Sequence, residues 1–247
     1  MKDNFSSRSD LYAKYRPTYP KELYDTLLSK VPNRNVALDV GTGNGQVAEQ
    51  LAPYFEKVCA TDISSEQIKQ ASPNPKIEYS VQSAEKTNFE NDAFDLIVVA
   101  QAVHWFDFES FYKEINRTLK KNGVFAMWGY GLIRTFPELD AVIEVFYYNQ
   151  IGTYWDAERK HIDNEYQSIP FPFEKTQIFY FENKILWNSE LMIGYLNTWS
   201  AVKHYEKQNG KNPVKAIENE LKQAIAQREN FEVTFPIFMK VGEVFKN

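Results

Sequence analysis

The sixteen residues Val36-Ala-Leu-Asp-Val-Gly-Thr-Gly-Asn-Gly-Gln-Val-Ala-Glu-Gln-Leu51 constrain this chain more than any other stretch. An apolar run rich in Val and Leu stops at a glycine cluster, and Val47, Ala48 and Leu51 then return at helical spacing. That pattern predicts strand, tight turn and helix, the first unit of a parallel α/β sheet. Gly41, Gly43 and Gly45 leave no Cβ between the backbone and whatever rests on the turn, and the helix start behind them offers unpaired N–H groups. A nucleotide-like ligand is the expected occupant.

Two details narrow the ligand. A dinucleotide fingerprint requires G-x-G-x-x-G, and the third glycine position is taken by Gln46. Asp39 ends the strand beside the turn, where its charge opposes a pyrophosphate but attracts a cation within about 4–6 Å. A ligand with an ammonium and no phosphate fits better. D-x-G-x-G-x-G, spanning Asp39, Gly41, Thr42, Gly43 and Gly45, closely resembles the first motif of the class I methyltransferases that use S-adenosylmethionine (SAM). The resemblance implies a Rossmann-like α/β fold, a mostly parallel seven-stranded sheet with helices on both faces, and SAM as cofactor.

With 247 residues, 43% of them apolar and 15% aromatic, the chain has ample material for a packed core. A formal charge of −5 gives no global basic footprint, so a small molecule is expected as partner rather than nucleic acid. The first ten residues lack an apolar signal core and no apolar run is long enough for a bilayer, which gives the expectation of a cytoplasmic protein without a membrane partner. Cys59 is the only cysteine, expected as a buried core thiol. His104, His161 and His204 lie far apart, so no metal site is expected. Composition leaves the oligomeric state open.

Residues 1–19 form a polar and aromatic arm ending in Tyr12-Ala-Lys-Tyr-Arg-Pro-Thr-Tyr-Pro20. Its Y-R-P-x-Y-P segment resembles the small-molecule subgroup that includes trans-aconitate methyltransferases, where the arm folds over cofactor and substrate. The resemblance implies that Tyr15, Arg16 and Tyr19 line or cover the site. A helix follows Pro20, with Leu23, Tyr24, Leu27 and Leu28 on one face. Val58 to Asp62 reads as a second strand ending in an acid, about twenty residues past the glycines, where a carboxylate accepts from ribose hydroxyls. Asp62 and its neighbour Ile63 are therefore expected at the cofactor, the alternative for Asp62 being a cap before the Ser64-Ser-Glu-Gln67 capping box.

Lys76 to Gln82 alternates as a third strand, and by position Ala84 and Glu85 fall where the family meets the adenine. Phe94 to Ala100 is nearly all apolar, as expected of a central strand buried on both faces. Its exit, Gln101-Ala-Val-His-Trp-Phe106, opens onto the ligand crevice. This segment resembles the fourth motif of the family, which implies backbone contact at Gln101 with the methionine end and places His104 and Trp105 toward the transferred methyl. His104 is the candidate catalytic base, the alternative being a histidine satisfied by a neighbour. The [DN]-P-P-[YF] motif of nucleic-acid amino-methyltransferases is absent here. Asp107 should cap a helix through Phe108, Phe111, Tyr112, Ile115 and Leu119 that ends at Asn122-Gly123, and Val124 to Trp128 should be the fifth strand.

The second half is expected to hold a helix from Phe136 to Ile151, a strand at Gln177–Glu182, a helix from Ser189 through Val202, another opened by Pro213, and a final strand through Phe231, Val233, Phe235 and Ile237. Pro236 argues for a bulge or an edge position in that strand. Tyr195-Leu-Asn-Thr-Trp-Ser-Ala-Val202 again resembles the trans-aconitate-type subgroup. One domain is expected, with core motifs at 36–129, a cap insertion at about 130–175, and 176–247 completing the sheet. The expected activity is methyl transfer to a small-molecule acceptor, in which a carboxylate would need no base. A SAM-binding module without catalysis and a dinucleotide-dependent oxidoreductase are the alternatives.

Overall fold

The computed structural model describes residues 15–244 and 246. Its centre is a seven-stranded sheet in the order β3-β2-β1-β4-β5-β7-β6. Strands β1 (Val36–Val40), β2 (Lys57–Asp62), β3 (Ile77–Val81), β4 (Phe94–Ala100) and β5 (Leu119–Tyr130) run parallel. Strand β7 (Phe231–Glu243) lies antiparallel between β5 and β6 (Glu174–Trp187). The order reverses between β1 and β4, which puts a crevice at the C-terminal ends of those two strands.

Period-two alternation assigns side chains to the two faces. Leu96, Val98, Val124, Ala126 and Trp128 enter one core with α1 (Lys21–Leu28) and α2 (Gln46–Leu51). Ile97, Val99, Phe125 and Met127 enter the other with α4 (Phe108–Thr118). Asp39 shares the face of Ala37, so its carboxylate points toward α2. The short α3 (Ser65–Ile68) is capped by Ser64, whose Oγ accepts from Gln67 N–H at 3.3 Å. Cys59 is buried, and burial pushes its thiol pKa up.

Three helix boundaries and the setting of Pro236 differ from the sequence reading. Helix α4 begins at the expected Asp107 cap but stops at Thr118, because Leu119 is drawn into pairing with Phe94 and the chain enters β5 at once. The helix expected at 136–151 is α5 (Pro137–Glu144), after which the backbone widens into a π-helical turn at Val145–Gln150. The helix expected from Ser189 breaks at Thr198-Trp199 into α7 (Ser189–Leu196) and α8 (Ser200–Asn209). Pro236 sits in neither a bulge nor an edge strand: its pairing with Glu182 is in unbroken register, and its carbonyl accepts from Gly131 N–H at 3.0 Å. In an extended strand N and C=O point to one side, so the missing N–H falls where β5 ends and breaks no bond to β6.

Between β5 and β6 the chain makes α5, the π turn, a 3₁₀ turn at Gly152–Tyr154 and α6 (Arg159–Asp163). Between β6 and β7 it makes α7, α8 and α9 (Pro213–Ile225). Residues 189–225, expected as helices within the 176–247 segment, form helices that pack with α5 and the Gly152–Tyr154 turn. Phe146, Tyr147, Trp155, Tyr195 and Trp199 knit the two groups through ring contacts of 4.9–6.1 Å between centroids. Among the described residues no helix is long and apolar enough to cross a membrane.

Candidate active site

The turn after β1 takes three left-handed glycines, Gly41 at φ +69°, Gly43 at φ +58° and Gly45 at φ +88°. A Cβ on Gly41 would lie 2.6 Å from Ala102 Cβ, and one on Gly45 would strike the Tyr79 ring. Only glycine gives this backbone without strain. Three anchors fix the loop. Gly41 and Thr42 N–H donate to the Thr61 carbonyl at 2.8 and 2.9 Å. Asp39 Oδ2 accepts from Thr42 Oγ1 at 2.5 Å and from Ala48 N–H at 3.1 Å. Asp62 accepts from Gly43 N–H at 2.9 Å through Oδ2 and from Ser64 N–H at 2.8 Å through Oδ1.

Asp39 is 1% exposed, and burial raises its pKa to about 7 against the lowering effect of its bonds to Thr42 and Ala48. A carboxyl in that state gains from a cation placed beside it. Ile63 is half-buried beside Asp62. Ala84 is buried, and the Glu85 carboxylate is engaged by Ser83 Oγ and by Asp107 N–H at 3.2 Å, tying the loop after β3 to the start of α4. Gln101 leaves β4 at φ +54°, its N–H bonded to the Trp128 carbonyl at 2.9 Å and its Nε2 to the Tyr130 carbonyl at 3.1 Å.

Beyond Gln101 the Val103–Trp105 turn carries His104 into a cavity of about 40 Å³, shared with Arg16, Trp105, Trp155, Arg159 and Trp199. His104 is 5% exposed, with Nδ1 3.0 Å from Tyr166 Oη, and burial together with the nearby Arg159 charge holds its pKa well below the usual value. It is a neutral imidazole. The arm reaches the same place. Arg16 Nη1 donates to Tyr130 Oη at 2.6 Å and its guanidinium lies 5.4 Å from the Tyr195 ring centroid. Tyr19 meets Trp128 edge to face at 5.6 Å, and Tyr15 packs on Gly194. Residues 1–14 of the expected arm lie outside the described residues.

A larger hollow of about 550 Å³, lined by Asn91, Asp92, Arg117, Glu243 and Lys246, opens at the opposite edge of the sheet. Asp92 and Lys246 pair there at 2.6 Å, and none of the parallel strands β1–β5 ends there. Chemistry belongs at the crevice, where the strands end.

The crevice fits a nucleoside sulfonium. Thr61 Oγ1, Tyr79 Oη and Gln101 Oε1 are buried without hydrogen-bond partners around the glycine loop and the β4 exit, and buried polar atoms of this kind call for a ligand. An added Cβ at Gly41 or Gly45 would strike the Ala102 or Tyr79 side chain that walls the cradle. Arg159 and Asp156, which also line the cavity, were missed by sequence reasoning. Asp156-Ala-Glu-Arg-Lys160 reads as a solvated charge run, and only the preceding Trp155 hints at an interior position.

A methyltransferase-domain family model matches residues 38–127, the span from β1 to β5. A protein of Dictyostelium discoideum named as a methyltransferase is 37% identical over 245 residues, covering 96% of this chain and 93% of its own. A structure from Anaeromyxobacter dehalogenans, described as that of a type II methyltransferase by assignment, superposes with a TM-score of 0.86 at 37% identity, over 94% of this chain and all of that one. At the level of fold alone, phosphoethanolamine N-methyltransferase 2 of Haemonchus contortus, solved with S-adenosylhomocysteine, gives a TM-score of 0.52 at 15% identity over 98% of this chain and 58% of that one. The chain belongs to the class I SAM-dependent methyltransferases.

Proposed function

We propose that this protein moves a methyl group from SAM to a small-molecule acid bound under the cap, in the manner of the trans-aconitate-type subgroup it resembles. SAM would supply an electrophilic methyl on a sulfonium, and the protein's task is to hold the acceptor close, aligned and dry. Asp39 would face the positively charged methionyl end, Asp62 and Ile63 the ribose, Ala84 and Glu85 the adenine, and Gln101 the methionine backbone. Thr42 would act through the loop, since its hydroxyl is spent on Asp39.

One observation carries the acceptor side: the cavity past the β4 exit is walled by aromatic rings yet contains Arg16. A guanidinium in such a place matches a carboxylate bidentately. A carboxylate is ionised at neutral pH and needs no base, so His104 and Trp105 serve as wall. For a hydroxyl acceptor His104 is the group able to accept a proton, since it is neutral. Tyr15 and Tyr19 pack the arm that carries Arg16 against α7 and β5.

The test is a mass-spectrometric screen of metabolite pools, with SAM supplied, for a gain of one methylene. Wild type and Arg16→Lys are then compared on a panel of small carboxylates, hydroxylated aromatics and amines. Arg16→Lys is expected to lower transfer while sparing SAM affinity. A preferred acceptor without an acid group, or full activity of the variant on an acidic one, overturns the acceptor assignment. Binding of SAM with no methylated product from any pool favours a non-catalytic module.

A further inference from the structure

The function proposed above uses one guanidinium, and the cavity holds two. Arg159 stands at the start of α6 with its side chain 18% exposed. Its Nε donates to Tyr147 Oη at 2.7 Å and to Asp163 Oδ1 at 3.3 Å. The guanidinium carbon lies 4.8 Å from the centroid of Trp155 and 5.3 Å from that of Tyr147. One edge of the fork is thereby pinned and its plane set by two rings. The terminal nitrogens donate no hydrogen bond to any described residue, although the group lines the cavity with Gln101, His104 and Arg16.

With part of the side chain exposed, the terminal nitrogens are open to a guest in the cavity, and a role confined to packing would be met by Nε and the stacking alone. Charge leads to the same place. Asp163 balances Arg159 from behind, and Asp156 on the cavity wall lies 3.8 Å from His204 Nδ1. The Tyr195 ring sits beneath Arg16, with the guanidinium carbon 5.4 Å from its centroid.

We infer that Arg159 is a specificity-determining residue that binds an acidic group of the methyl acceptor distinct from the one at Arg16, so that the preferred acceptor is a small dianion. Two cations fixed on different elements, the arm and α6, select for the spacing between two acids as well as for their charge. This inference rests on the proposed function, because it assigns the second contact in the same site.

The test uses the full chain with SAM and a panel of C4–C6 dicarboxylates, their half-amides, matching monocarboxylates and an amino-dicarboxylate. KM and kcat are measured for wild type, Arg159→Gln and Arg159→Lys, together with SAM affinity and the thermal midpoint. Wild type should prefer a diacid to its half-amide. Arg159→Gln should raise KM for the diacid on the order of 10- to 100-fold, the scale of lost charge-assisted bonds, with the half-amide and SAM affinity nearly unchanged. Arg159→Lys should recover part of the preference.

The inference is overturned if Arg159→Gln lowers the midpoint and kcat while the diacid to half-amide ratio stays put. It is equally overturned if wild type prefers a neutral, monoanionic or amine-bearing acceptor. Where no acid is methylated, fluorescence of Trp155 and Trp199 titrated with the same acids decides, and failure of every diacid to bind sinks the inference. Absence of SAM binding would instead overturn the proposed function, and the titration would still judge Arg159.

Discussion

Asp39→Asn tests the electrostatic design of the glycine loop. Asn keeps an oxygen for Thr42 and Ala48 and removes only the ionisable charge. In the native protein burial holds the Asp39 pKa at about 7, against a usual value near 3.8. The folded state therefore keeps its proton through a range where the unfolded chain has lost it. Stability from this group is fully present below about pH 4 and is lost as pH rises to about 7. Integrating between pH 5 and pH 7.5 gives a loss of about 2.5 kcal/mol, against a full span of about 4 kcal/mol. The assay is urea unfolding of ligand-free wild type and Asp39→Asn at several pH values. All other groups are common to both proteins and cancel in the difference. Wild type should lose about 2.5 kcal/mol relative to the variant over that interval. Parallel curves would refute the reasoning, since they would mean that Asp39 is ionised at no cost in the empty loop. Binding of SAM below pH 7 should also release a proton from wild type and none from this site in the variant, visible as a calorimetric heat that depends on the buffer.

Gly41→Ala places a methyl 2.6 Å from Ala102 Cβ at φ +69°, so SAM affinity should fall and stability drop by about 1–3 kcal/mol, read by titration and thermal melting. Asp62→Ala removes the acceptor for Gly43 and Ser64 N–H and should weaken both folding and SAM binding by about 1–3 kcal/mol each, whereas a lone ribose role would leave the ligand-free midpoint unmoved. His104 is neutral throughout the working range, so the pH–rate profile should show no step near pH 6.5 that disappears in His104→Asn.

The parallel half was legible because each of its strands ends in a chemically marked place. Val36–Val40 stops at glycine and Lys57–Asp62 at a carboxylate, and apolar Phe94–Ala100 has no other home than the middle of a sheet. Legibility fell where tertiary pairing overrode local pattern. Leu119 fits the helical stripe of α4, yet pairing with Phe94 claims it. Strand β6 spans Glu174–Trp187, well beyond the expected Gln177–Glu182, because its exposed side carries charges and Tyr180 and so shows little alternation. In the site, Asp39, the glycines and Asp62 announced themselves by spacing, though their bonds within the loop did not. Arg159 stayed hidden because a charged residue near the start of a short polar helix looks the same whether it faces solvent or a cavity. Its role depends on Trp155, Tyr147 and Asp163 meeting it in space.

The placement of β7 has a consequence for how the chain is made. Val124, midway along β5, pairs with Glu243, and the order of the sheet leaves the outer side of β5 bare until β7 arrives. During synthesis β1 to β5 can pair among themselves long before residues 231–243 leave the ribosome, because domains grow from the N-terminal side. Throughout that interval β5 presents an unpaired edge bearing Val124, Phe125, Ala126, Met127 and Trp128, all fully buried in the finished protein. Such an edge invites pairing with another nascent chain. The closing contacts are also the most distant in sequence among the strand pairings, so their formation should be the slow phase of refolding. A chain truncated before Phe231 should accumulate as aggregate even though its glycine loop is intact, and a peptide spanning Phe231–Glu243 added during refolding should reduce that aggregation.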